Sequence, residues 1–259
     1  MALPQLARGE IEIEHEFDSL WKGPASVVRN HPLWDDPFAQ TLRSPENNPH
    51  LSYALVGQWT KQMYHGSLAF PRYVGNLISR VENHAAGRLL AINSAVERGY
   101  PDEDRSHFLL AVDLLRNMGL SDEEIASIPK KNYSAQYIDE HLRYTRDEPL
   151  AKAIGCLGLG IEALTTDEFT MIGNAYIRTA PQVARMPMDK VYQSQGYFTE
   201  NIIADTHHTR EFEEIAYLVW KSGEIPEDLD ASMDQIKDGA TFSLDRRREF
   251  FRGIYDEVS

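Results

Sequence analysis

Apolar residues recur at three- and four-residue intervals along most of this chain, in stretches ended by glycine or proline, which is the signature of amphipathic helices. From His50 to Val81 the set Leu55, Trp59, Met63, Tyr64, Leu68, Phe70, Tyr73, Val74, Leu77 and Ile78 predicts a long helix that Pro71 is expected to kink. Ala85 to Arg98 predicts a second, closed by Gly99, and Asp104 to Met118 a third, ended by Gly119 as a C-terminal cap. Ser121 and Glu124 have the spacing of a capping box. Helices follow over Ser134 to Arg146 and Glu148 to Ala163, divided at Pro149, then from Glu168 to Arg178 with Thr166 or Asp167 as N-cap. Asp189 to Lys221 carries the longest uninterrupted pattern, and Asp230 to Lys237 and Leu244 to Val258 finish the chain. Ahead of these, Phe17 to Arg43 reads as helical pieces broken at Pro24 and Pro32, and Ser44 to Pro49 as a turn cluster. No stretch of strand length alternates with period two. The expectation is an all-α bundle of roughly eight to ten helices forming one domain from 17 to 259, preceded by a flexible N-terminal arm over 1–16.

Composition narrows the class of function. The chain has 259 residues, a formal charge of −14 and a single cysteine, Cys156. The acidic balance disfavours nucleic acid and anionic membrane surfaces as partners. The tight basic runs, Lys130 with Lys131 and Arg246 with Arg247 and Arg248, read as solvated surface. One cysteine excludes an intramolecular disulfide framework, the N-terminus lacks a secretory pattern, and no apolar run reaches the length of a bilayer span, so a cytoplasmic protein is expected.

The candidate chemistry lies in acids and histidines set within apolar helical stretches. Asp205 and His208, at i and i+3, share one helix face, and Asn201 lies one turn before them. Glu162 ends the small, apolar run from Ala153 to Ile161, where a carboxylate needs a partner. Glu97 closes one helix and His107 opens the next. Three carboxylates and two imidazoles make a ligand mix suited to iron or manganese. Taken singly, each residue also fits a plainer reading as a solvated pair, a buried ion pair or a helix-end polar group.

The order Glu97-x-Gly99, His107, Gly158-x-x-x-Glu162 and Tyr197 through Asp205 to His208, with the proline-containing helix from His65 to Tyr73 upstream, resembles the heme-oxygenase-like di-iron oxidases. These belong to a superfamily with TenA and the pyrroloquinoline-quinone synthase, and include the chlamydial death-domain-associating protein. The resemblance runs from about His31 to Trp220. It implies a seven-helix core and two ferrous ions that activate dioxygen toward a small substrate, an amino acid or fatty acid, by N-oxygenation, desaturation or oxidative carbon–carbon cleavage. It implies Glu97, His107, Glu162, Asp205 and His208 as ligands, and a homodimer. At Asn201 the chain departs from the histidine of the family's His-x-x-x-Asp-x-x-His pattern, and an amide oxygen is a weaker ligand than imidazole. His207 or Glu200 could complete a second iron, or Glu97, His107 and Glu162 could hold one ion alone.

Phe70, Tyr73, Leu77, Phe108, Leu159 and Phe198 are candidate pocket walls, with Tyr64, Tyr73 and Tyr197 as candidate redox or hydrogen-bonding groups. Arg72, Arg80 and Arg178 are candidate counter-ions for a charged substrate. Competing readings are a cofactor-free enzyme like the quinone synthase, a TenA-type thiaminase using Cys156, and a non-catalytic helical protein that binds a partner. In the last, the three acids would be paired with arginines.

Overall fold

A computed structural model describes residues 12–102 and 105–259, and every regular element among them is helical. In chain order they are α1 (His15–Asn30), α2 (Pro37–Arg43), α3 (Pro49–Ile78), α4 (His84–Glu97), α5 (His107–Asn117), α6 (Asp122–Ala126), α7 (Asn132–Asp147), α8 (Leu150–Leu157), α9 (Leu164–Val183), α10 (Met188–Lys221) and α11 (Leu229–Val258). Short 3-10 turns at Pro32–Asp35 and Pro45–Asn47 flank α2, and one π turn, Gly158–Ala163, joins α8 to α9 without a break. None of the helices is long and apolar enough to cross a membrane. Of the arm expected over 1–16, residues 1–11 lie outside the described residues, and α1 already begins at His15.

The periodicity locates most helices to within a few residues, and the capping box of Ser121 and Glu124 forms in both directions. Three expectations fail for physical reasons. Pro24 does not break α1, because a proline inside a helix forfeits one hydrogen bond and here its ring is buried in the core. Thr166 and Asp167 cap nothing, since the helix arrives from the π turn and α9 starts at Leu164. The last two predicted helices are one, α11. The gap read between them holds Gly239, Ala240 and Ser243, whose small side chains weaken the apolar signal while permitting close packing.

That packing sets the frame of the site. At the α8–α11 crossing a Cβ on Gly155 would run into the backbone of Ile236, and one on Gly239 into the carbonyl of Lys152. Further along the seam, a Cβ on Gly160 would meet Ser243. The backbones are therefore in direct contact, and α11 fixes the position of the π turn that carries Glu162. On its other side the π turn packs on α10, where a Cβ on Gly158 would overlap Phe212. One large cluster of buried side chains, among them Trp59, Tyr73, Tyr176, Phe212 and Phe251, unites the long helices, and a smaller one joins Val112 and Leu115 to Ile125 and Ile128.

Candidate metal centre

Each ligand candidate is placed by a local feature of its helix. Glu97 is the last residue of α4. Gly99, at a positive φ of 93°, then closes the helix, with Tyr100 N–H donating to Ala95 O (2.9 Å) and Gly99 N–H to Val96 O (2.8 Å). His107 is the first residue of α5, set there by Ser106, whose hydroxyl caps the Leu109 N–H (3.3 Å). Glu162 sits in the π turn, an element that accommodates an extra residue within a helix and so changes the face on which a side chain emerges. Asn201, Asp205 and His208 share the buried face of α10.

These elements bring the acids and histidines together at the centre of the bundle. One ligand atom each from Glu97, His107 and Asp205 lie within 4.8 Å of one another, and so do one each from Glu97, Glu162 and His208. The two groups share Glu97. His107 Nδ1 is 2.9 Å from Glu97 Oε2, while His208 Nδ1 is 3.3 Å from Glu97 Oε1 and 3.4 Å from Glu162 Oε1. The last two approaches lack the alignment of a hydrogen bond, which leaves Glu97 Oε1, Glu162 Oε1 and His208 Nδ1 buried and unsatisfied. Orphaned polar atoms of this kind are costly unless a missing partner supplies their bonds, and carboxylate oxygens with imidazole nitrogens form a donor set that iron accepts. The residues therefore fit a metal site in which Glu97 belongs to both groups.

The structure brings all five of these residues together, in two groups. The single-ion alternative of Glu97, His107 and Glu162 is not the arrangement found, because Asp205 rather than Glu162 joins His107. Neither substitute for Asn201 reaches the centre: His207 is exposed, and Glu200 is ion-paired with Arg105. Asn201 itself is buried on the cavity wall. Its amide nitrogen donates to the Tyr197 carbonyl (2.6 Å), leaving only the amide oxygen for a metal. Among the described residues none of the three acids is paired with an arginine, the pairing that the partner-binding alternative expects; their neighbours are histidines and one another. Cys156 is fully buried and burial pushes its thiol up, which removes the nucleophile a thiaminase would need.

Within the cluster each group's charge acts on its neighbours. Burial pushes the Glu97 carboxyl up, but His107 and His208 outweigh it and hold the group at about 2. Burial pulls both histidines down and the neighbouring carboxylates more than reverse this, Glu97 chiefly for His107 and Glu162 chiefly for His208. Burial, reinforced by the charge of Glu162, keeps Asp205 protonated well above the usual carboxylate range. The native metal-free protein therefore retains protons that an unfolded chain releases, Asp205 above about 4 and the histidines above about 6.5. Its stability must fall as pH rises through this window, by about 1.4 kcal/mol per pH unit for each proton retained. Glu97 acts oppositely, and only below its ordinary value of 4.5, where its contribution is lost as pH falls toward 2. Metal binding expels the retained protons and so tightens with pH. Thermal melts at pH 6 and pH 8 should show the gap between ferrous-loaded and metal-free protein widening at the higher pH; a constant gap would contradict the proton assignment.

A cavity of about 50 Å³ adjoins the cluster, lined by Glu97, His107, Glu162, Asn201 and Asp205 together with Met63, Phe70, Tyr73, Tyr137, Ile161, Phe169 and Arg247. Of the expected walls, Phe70 and Tyr73 line it. Leu77, Leu159 and Phe198 are core residues elsewhere, and Phe108 packs against Tyr64 in the smaller cluster. Among the described residues the buried hydroxyls of Tyr73 and Tyr197 have no partners, and burial pushes both phenols up. The expected counter-ions point elsewhere: Arg72 is exposed, Arg80 donates to the Thr145 carbonyl (2.6 Å), and Arg178 pairs with Glu46 at 3.5 Å on the surface.

Arg247, read from sequence as surface, is instead 1 % exposed and bonded to the fully buried Glu168 (3.2 Å), which also accepts from Trp59 Nε1 (2.6 Å). The signal that could have revealed it is its place on the apolar face of α11, three residues after Leu244 and three before Phe250.

Comparison with solved structures finds the same fold. A protein of unknown function from Nostoc punctiforme, described as CADD-like, superposes with a TM-score of 0.72 at 15% identity, covering 95% of this chain and 99% of that one. A domain of unknown function with a heme oxygenase-like fold from Shewanella denitrificans gives 0.62 at 13% identity over 93% and 90% of the two chains. A TenA homolog from Pseudomonas syringae pv. tomato gives 0.63 at 15% identity over 93% and 91%. No curated protein matches the sequence. Residues 57–241 match a family described as iron-containing redox enzymes, a span that holds every ligand candidate. Heme-oxygenase-like in fold, this chain belongs to that family of iron-containing redox enzymes.

Proposed function

We propose that the protein is a non-heme di-iron oxidase that uses dioxygen to oxidise a small organic substrate. The observation that carries this reading is the pair of three-residue ligand groups sharing Glu97, since a carboxylate common to two donor sets is what a dinuclear centre requires. Glu97 would bridge, His107 and Asp205 would hold one ion, and Glu162 and His208 the other, with Asn201 contributing at most a weak amide oxygen. Two ferrous ions would supply the electrons that reduce dioxygen and the oxidising power that acts on the substrate, in N-oxygenation, desaturation or carbon–carbon scission.

The chain's own residues define the conditions for that chemistry. Phe70, Ile161 and Phe169 give the cavity apolar walls that limit water beside the cluster. Tyr73 and Tyr197 keep their phenolic protons and lack partners, so each is able to donate a hydrogen bond or a hydrogen atom near the reacting centre.

Anaerobic reconstitution with ferrous iron, desalting and elemental analysis test the reading. About two irons per chain, followed by oxygen uptake when air is admitted, are expected. A chain that keeps no iron would overturn it, and one iron would replace the dinuclear centre with a single ion.

A further inference from the structure

The polar lining of the cavity divides by chemistry. One set is the ligand cluster with Asn201. Thr165 is satisfied, its hydroxyl donating to the Ile161 and Glu162 carbonyls at 3.0 Å. Among the fully enclosed side chains that leaves Arg247, Tyr73 and Tyr137. Arg247 uses Nη1 on Glu168 Oε1 and on Met63 Sδ, both at 3.2 Å, while its Nε–H is buried with no acceptor among the described residues. Among the described residues the Tyr73 hydroxyl is likewise buried without a partner, and the buried Tyr137 hydroxyl has only the Arg247 guanidinium beside it. The guanidinium lies 4.8 Å from the Tyr137 ring centroid, and both tyrosine rings flank His141, at 5.7 and 4.1 Å.

We infer that Arg247, Tyr73 and Tyr137 form a subsite that anchors a carboxylate of the substrate, making Arg247 a specificity-determining residue. The inference rests on the cavity being the substrate chamber proposed above. All three groups offer protons: a guanidinium has donors only, and burial keeps both phenols protonated, Tyr137 being pushed up to about 12. A ligand that satisfies several donors lining one cavity, one of them on a guanidinium, needs several lone pairs, and a carboxylate offers more of them than a neutral carbonyl, with charge-assisted bonds besides. Glu168 leaves this role open: it engages Arg247 through one oxygen, shared with Trp59, while its other oxygen and the Arg247 Nε–H are both buried with no hydrogen-bond partner among the described residues. Apolar Phe70, Ile161 and Phe169 line the same cavity, so the substrate class is a small monocarboxylic acid whose apolar part reaches toward the metal ligands.

The test is binding of butyrate and of neutral butyramide, matched in size, to chelator-treated metal-free protein and to ferrous-loaded protein kept anaerobic. The metal-free arm separates anchoring by Arg247 from direct binding of the carboxylate to iron. Iron content measured on the same samples shows separately whether the metal reading stands. Butyrate is expected to bind at least about tenfold tighter than butyramide in both forms. Arg247→Gln should bring the two within about threefold by weakening butyrate alone, a selectivity change that loss of a merely structural ion pair would not produce. If that variant fails to fold, Tyr73→Phe and Tyr137→Phe decide, each expected to weaken butyrate severalfold and leave butyramide unchanged. Equal binding of the two ligands to the wild-type protein, or a preference that survives in these variants, would overturn the inference.

Discussion

Glu97→Ala should abolish iron loading, whereas Glu162→Ala should leave about one iron per chain. The asymmetry follows from the geometry: Glu97 is common to both donor groups, while Glu162 serves only the one with His208. Loss of an outer-sphere partner of a metal ligand typically costs 10–100-fold in affinity, so loss of a bridging ligand should cost more than about a hundredfold at each ion. Glu97→Gln guards against a trivial explanation, since it keeps the side chain's volume but cannot bridge two cations. Both Glu97 variants should be followed by elemental analysis and by far-ultraviolet circular dichroism. A folded Glu97→Gln protein that retains two irons would remove Glu97 from the bridge, and loss of both ions in Glu162→Ala would show that the two positions do not fill independently.

The largest expected effect on stability lies away from the candidate ligands, at Gly239→Ala. A single added methyl would be driven into the carbonyl of Lys152, a backbone atom that cannot turn aside as a side chain would, so α8 and α11 must separate. Overpacking that moves backbone costs about 3 kcal/mol or more, which for a chain of this size lowers Tm by roughly 6–12 °C. Gly87→Ala is the matched control. Nothing lies within 4 Å of the new methyl there, and alanine is the better helix former, so a gain of about 0.5–1 kcal/mol is expected. Thermal melts of the two metal-free variants should move in opposite directions. Equal shifts would show that the close crossing does not govern the stability of this fold.

How far the sequence could be read depended on what kind of signal each feature leaves. Helices that bury one large apolar face, such as α3 and α10, declare themselves by period, and Glu97, Glu162 and Asp205 stood out because charges among apolar neighbours need an explanation. Features that act through closeness left weaker traces. Small residues at the α8–α11 seam looked like a gap in α11, because packing of backbone on backbone involves few apolar side chains. Arg247 was hidden by its neighbours Arg246 and Arg248, which lie about 100° to either side of it on the helix, so a basic run in sequence is not a basic patch in space. The sharing of Glu97 by two ligand groups was likewise beyond a one-dimensional reading, since it depends on the distance between the end of α4 and the faces of α10 and the π turn.

The π turn has a consequence for how relatives should be compared. An α-helix advances about 100° per residue, so an extra residue absorbed in one widened turn puts everything after Ala163 out of phase with everything before Gly158. A relative whose helix runs straight through this region must present its corresponding carboxylate from a position one place removed in an ungapped alignment. Column-by-column conservation would then score the carboxylate as lost while the fold still presented it. Homologues that seem to lack Glu162 are best sorted first by the length of this turn, and only then by the identity of the residue.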